Sequence, residues 1–88
     1  MIYKKKKVLI TGGTHGIGLA ISEILAKKKF DIATFSRSQS RINQFKKKMR
    51  KYKIKTSTKK LDVLNNISLN NYFNDLKKNF GNIDILIN

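Results

Sequence analysis

The stretch Thr11-Gly12-Gly13-Thr14-His15-Gly16-Ile17-Gly18 constrains this chain more than any other. It follows Val8-Leu9-Ile10, an apolar run that predicts a buried strand at roughly residues 7–11. It precedes Ile17, Ala20, Ile21, Ile24 and Leu25, spaced i, i+3, i+4, i+7, i+8, which predicts the inward face of a helix from about Gly16 to Lys28. A glycine-rich turn between a strand and a helix is a natural phosphate site. The first helical N–H groups have no partners within the helix, and the helix dipole is positive at that end. Glycines also remove the Cβ atoms that would hold a pyrophosphate away from the backbone. The competing reading is a turn whose glycines serve only close helix–strand packing.

The rest of the chain repeats the alternation. Phe30 to Phe35 reads as a second, central strand. Ser38 or Ser40 can cap a second helix with the stripe Ile42, Phe45, Met49 and Tyr52. Lys55 to Leu61 is a polar, alternating strand suited to a sheet edge. Asn65 or Asn66 can start a third helix with the stripe Leu69, Tyr72, Phe73, Leu76 and Phe80, closed by Gly81. Ile83 to Ile87 reads as a fourth strand. β-α-β-α-β-α-β calls for an α/β fold with a parallel sheet. A Rossmann-like doubly wound order, 3-2-1-4, puts the ligand where the order switches, at the carboxyl ends of the first and fourth strands. The glycine turn lies there, and so, on this reading, do Asp62 and Asn88.

Composition removes several function classes. With no cysteine, one histidine and five acidic residues, disulfides and thiolate metal sites are excluded, and a carboxylate-pair hydrolase is disfavoured. No apolar run approaches the ~20 residues of a membrane helix, and no apolar signal core follows Lys4–Lys7. A cytoplasmic protein is the expectation. The net charge of +15 has two readings. One is a surface for nucleic acid. The other is drift toward Lys, Asn and Ile through A/T-rich codons, supported by the spread of lysines over every segment. Either way, weak, salt-sensitive and sequence-independent binding to polyanions is expected.

The glycine spacing narrows the chemistry. Gly12, Gly16 and Gly18 form Gly-x-x-x-Gly-x-Gly, with Thr11 in front and Gly-Ile-Gly at the close. This resembles the short-chain dehydrogenase/reductase family, and the likeness runs from Val8 to Asn88. It implies cofactor contacts from Thr11, Gly12, Thr14, His15, Gly16, Ile17 and Gly18. His15 stands where NADP-using relatives often carry Arg or Lys, and it also reads as an ordinary solvent-facing loop residue. Ser36-Arg37 falls about 20 residues past the turn, where the adenosine ribose is read. The family's NAD users place an acid at the position of Ser36. Its absence, with Arg37 next, implies NADP over NAD. Asp62-Val63 resembles the pair that contacts adenine, although an Asp there can also simply cap a turn. Phe80-Gly81-x-Ile83-Asp84-Ile85-Leu86-Ile87-Asn88 resembles the approach to an Asn-Asn-Ala-Gly motif, with Asn88 as its first Asn, which usually steadies the sheet beside the cofactor.

The resemblance implies the N-terminal part of an NAD(P)-binding domain, residues 1–88, truncated after the fourth strand. Family catalysis uses a Ser and a Tyr-x-x-x-Lys pair that would lie beyond Asn88. The one formal match, Tyr3 and Lys7, leads into a strand, where positions four apart lie ~13 Å from each other. The implied parent is an oxidoreductase exchanging hydride between nicotinamide and a small carbonyl or alcohol substrate. A non-catalytic nucleotide- or RNA-binding remnant, or a gene fragment without function, is the alternative. Substrate, reaction direction and oligomeric state stay open.

Overall fold

The structure is a computed structural model that describes residues 6–88. Its elements run β1 (Lys7–Thr11), α1 (Gly16–Lys27), β2 (Asp31–Ser36), α2 (Gln39–Met49), a short 3-10 turn (Arg50–Tyr52), β3 (Thr56–Lys60), α3 (Asn66–Asn79) and β4 (Ile85–Ile87). The strands form one parallel sheet in the order β3-β2-β1-β4, as the alternation predicts. Leu9 aligns with Ala33 on one side and Leu86 on the other, so β1 is central.

Two clusters fill the two faces. On one, Val8, Ile10 and Ile32 pack with Ala26 of α1, Phe45 and Met49 of α2, and Tyr52. On the other, Leu9, Ala33, Phe35 and Leu61 pack with Tyr72 and Leu76 of α3 and with Phe80. The α2 stripe is therefore buried as its periodicity predicts. Ser38 caps α2, accepting from the Arg41 N–H, and Asn65 caps α3, accepting from the Ser68 N–H. Gly81 follows α3, and its N–H donates to the Leu76 carbonyl at 2.8 Å.

The end of the sheet opposite the glycine turn is pinned by the buried Asp31. One carboxylate oxygen accepts from the Lys55 N–H at 2.8 Å and the other pairs with Lys7 Nζ at 3.6 Å. A single side chain thus ties the starts of three neighbouring chain segments.

Three expectations need correction. Of the expected α1 stripe, Ile21 and Leu25 pack against the core, but Ile17, Ala20 and Ile24 do not face it. Ile17 is 82% exposed and Ile24 55%, while Ser22 and Ala26 are buried. The helix crosses close to the backbone of the glycine turn, so the positions that meet the turn, Gly18 and Ser22, are small. Phe73 lies on the outer side of the α3 stripe and is exposed. Finally, β4 begins at Ile85 rather than Ile83; just ahead of it the Lys7 N–H donates to an Asp84 carboxylate oxygen at 2.9 Å and the Asp84 N–H to the Lys7 carbonyl at 2.9 Å.

Candidate functional site

The site is built at the β1–α1 junction by packing that only a glycine allows. A Cβ on Gly18 would stand 2.1 Å from the Gly12 carbonyl oxygen, far inside contact distance. Gly12 itself has φ of 69°, in the left-handed region that favours glycine. With Gly18 flush against the turn, the N-terminus of α1 faces the carboxyl end of the sheet. His15 occupies the N-cap position without a side-chain cap, and no acidic residue stands in the first turn. The N–H groups of that turn therefore meet neither a capping oxygen nor a carboxylate, unlike those of α2 and α3. The turn fits an anionic group.

Two hydroxyls that the sequence reading missed hold the turn from below. Thr34, buried in β2, accepts from the Gly13 N–H at 3.1 Å and donates to the Ile10 carbonyl at 2.6 Å. Ser22 Oγ lies 3.2 Å from the Gly13 carbonyl and 2.9 Å from the Gly18 carbonyl. A serine interrupting an apolar helix four residues after a glycine is the signal that could have located this network.

A cleft of about 670 Å³ opens above the turn. It brings together Thr11, Gly12, His15, Ser36, Arg37, Val63 and Asn88 of the expected residues, and adds Phe35, Ser38, Arg41 and Leu61. No carboxylate lines it among the described residues. Arg37 and Arg41 have no ion-pair partner among those residues. Thr11 Oγ1 lies 3.4 Å from both the Ile87 carbonyl and Asn88 Oδ1, which links the ends of β1 and β4.

The remaining expected residues lie elsewhere. Thr14 is buried beneath the turn, with its hydroxyl 3.3 Å from His15 Nδ1. Gly16, Ile17 and Gly18 form the first turn of α1 beside the cleft. Asp62 lines a separate shallow hollow with Leu64 to Ile67, and its carboxylate accepts from the Leu64 N–H at 2.9 Å. The carboxylate is thus engaged in the turn that leads into α3. Lys7 opens β1, whereas Tyr3 lies outside the described residues.

Comparison with known proteins agrees with this geometry. Residues 6–88 match the family profile described as short chain dehydrogenase. A very-long-chain 3-oxoacyl-CoA reductase of Mus musculus is 35% identical over 78 residues, covering 88% of this chain and 24% of the relative. Among solved structures, L-sorbose reductase from Gluconobacter frateurii, complexed with NADPH and L-sorbose, superposes with a TM-score of 0.85 at 29% identity, over 93% of this chain and 32% of that one. An NAD+-bound xylitol dehydrogenase superposes with a TM-score of 0.87 at 25% identity, over 92% and 31%. The chain thus spans about a quarter to a third of these proteins' lengths. The two solved structures hold different nicotinamide cofactors on the same scaffold.

Proposed function

The chain belongs to the short-chain dehydrogenase family, and on that premise we propose that its cleft binds NADP(H) in preference to NAD(H). Residues 1–88 then make up the N-terminal, cofactor-binding part of an oxidoreductase, through the fourth strand. The reaction of the whole protein is hydride exchange between nicotinamide and a carbonyl or alcohol carbon, a chemistry the bound cofactor supplies. Within these residues, the first turn of α1 with Thr11, Gly12, Thr14, His15, Gly16, Ile17 and Gly18 serves the pyrophosphate. Ser36 and Arg37 serve the adenosine ribose, Val63 lines the cleft for the adenine while Asp62 closes the turn that holds Val63 there, and Asn88 steadies β1 against β4. Among the described residues no helix carries a Tyr-x-x-x-Lys pair, so the role read for them is cofactor binding.

One observation carries the cofactor choice: the cleft at the end of β2 is lined by Ser36-Arg37, with no carboxylate among the described residues that line it. A carboxylate there would accept from the 2′-hydroxyl of NAD and repel the 2′-phosphate of NADP. Ser36 offers a neutral donor instead. Arg37 offers a planar fork for charge-assisted bonds to phosphate oxygens. The L-sorbose reductase complex with NADPH supports the reading by likeness.

The test is titration with both cofactors at physiological salt. Arg37→Ala should weaken NADP roughly 10- to 150-fold and leave NAD nearly unchanged. Ser36→Asp should reverse the preference. A wild-type preference for NAD, or equal weakening of both cofactors by Arg37→Ala, would overturn the reading.

A further inference from the structure

The end of the molecule opposite the cleft is strongly basic. We propose that this end is a docking face for the phosphate backbone of double-stranded nucleic acid, separate from the cleft and free to act while the cleft is occupied. The inference does not depend on which cofactor the cleft takes.

Along the chain the lysines are spread over every segment, but in the fold they gather. The strands are parallel and start at one end, so each helix between them runs back and finishes at that end. The end of α1 brings the lysines at 27–29, the end of α2 those at 46–48, and the end of α3 those at 77–78. Arg50 and Lys51 of the 3-10 turn, then Lys53 and Lys55, fill the path into β3. Each of these cations is exposed. Two contacts show the segments converging: Lys29 Nζ donates to the Tyr52 carbonyl at 2.6 Å, and Lys55 Nζ to the Asn79 carbonyl at 2.7 Å.

Little at this end neutralises them. Of the five acidic residues, Asp31 and Asp84 stand here. Asp31 is buried and engaged with Lys7 Nζ and the Lys55 N–H, and Asp84 accepts from the Lys7 N–H. Asp62 follows the far end of β3, while Glu23 and Asp75 sit within α1 and α3. A helix dipole favours a cation in the last turn and fades beyond it. It therefore does not account for Lys53 and Lys55. Lys53 also has φ of 54°, in the left-handed region where glycine is at ease. Like charges gathered on one face repel, and a row of phosphates relieves that repulsion. A duplex supplies one negative charge per ~1.7 Å of axis. The aromatic rings at this end are turned inward: Tyr52 and Phe80 are buried, and Phe30 packs against the core. Among the described residues, then, no ring at this end is free to stack on unpaired bases or to enter a lipid surface. What remains is phosphate contact, which carries no choice of sequence.

The experiment measures Kd of the full 88-residue chain for short fluorescent DNA duplexes of unrelated sequence over a range of salt. Lys28→Gln with Lys47→Gln removes two charges from this end. Lys59→Gln with Lys60→Gln removes two from the cleft end of β3 and gives the same net charge. The first pair should weaken the duplex on the order of tenfold at physiological salt and reduce the slope of log K against log salt by about 2. The second pair should stay within about twofold of wild type. Lys28→Arg with Lys47→Arg should bind as wild type does, and saturating NADPH should leave duplex affinity unchanged. If the first pair melts lower than wild type, Lys46→Gln with Lys78→Gln gives the same reading in its place. Equal weakening by the two ends would reduce the effect to net charge, and displacement by NADPH would put the duplex in the cleft. Tighter binding to single strands, or to vesicles of phosphatidylserine and phosphatidylcholine at equal phosphate, would give the face to another partner. Each of these results overturns the proposal, as does a wild-type chain that leaves the duplex unbound at physiological salt.

Discussion

The two sides of β1 differ. Toward β2 and β3 the sheet is closed: Phe45 and Met49 of α2 cover one face, Tyr72 and Leu76 of α3 the other, and each of these side chains is buried. Toward β4 it is open. Leu86 is 60% exposed and, with Leu9, Phe73, Leu76 and Ile83, borders an apolar groove of about 600 Å³. The same parallel pairing runs through both sides. The ladder with β4 is shorter, three aligned pairs against five in each of the other two, and side-chain burial separates the sides further. Stability should concentrate on the β2–β3 side, with the β4 side as the exposed apolar edge where association begins.

The largest expected effect breaks the closed side. Phe45 is fully buried, and Phe45→Ala should cost about 3–5 kcal/mol through lost burial and a residual cavity. That is most of the stability of a small domain, and denaturant unfolding would measure it. A cost under about 1 kcal/mol would mean that the closed side does not carry the fold.

Next comes the junction between the sides. Gly18→Ala places a methyl group 2.1 Å from the Gly12 carbonyl oxygen. The turn must shift, at a cost of at least about 1–3 kcal/mol. Cofactor affinity should fall with it, because the N-terminus of α1 moves. Calorimetric titration of NADP against Gly18→Ala and wild type checks this, and equal affinity would show that the close approach does not shape the site.

A third test uses pH. Tyr72 Oη lies 3.1 Å from the Thr34 carbonyl and 3.2 Å from Ser57 Oγ. Burial raises its pKa above the usual 10.0, and the Ser57 hydrogen bond offsets part of that. The unfolded chain ionises its tyrosines first as pH rises past about 10. The Tyr72 contribution is therefore fully present below that pH and is lost as pH climbs through the folded value. Unfolding curves collected from neutral to alkaline pH should decline in this window, and Tyr72→Phe should decline less.

The smallest effect on stability belongs to the open side. Leu86→Lys should change unfolding free energy by no more than about 0.5 kcal/mol, as at other exposed positions. It should, however, reduce concentration-dependent light scattering, because a charge blunts an apolar edge. If it unfolds the chain instead, the open side is part of the core and the comparison is wrong.

Much of this architecture could be read from residue order. The strand–turn–helix at Thr11–Gly18, a serine cap on α2 and an asparagine cap on α3, the α2 stripe and the strand order follow from local chemistry and from the rule that parallel strands need crossovers, while the structure chooses Ser38 over Ser40 and Asn65 over Asn66. The missing acid at Ser36 is likewise a fact of the chain alone. Other features required the packed structure. Periodicity finds Ile21 and Leu25 on the packed side of α1, but the close approach to the glycine turn rotates the fully buried line to Ser22 and Ala26 and leaves Ile17 and Ile24 facing out. For Asp62 the chain left two readings open, an adenine contact and a turn cap, and only the packed structure shows its carboxylate accepting from the Leu64 N–H. Nor does the spacing of Arg37 and Arg41 show that both line one cleft, because that depends on where α2 leaves the sheet. Sequence determines what each segment prefers within a few residues. Which surfaces meet, and so which groups lose water and which keep it, is decided only when β1 draws distant segments to both of its sides.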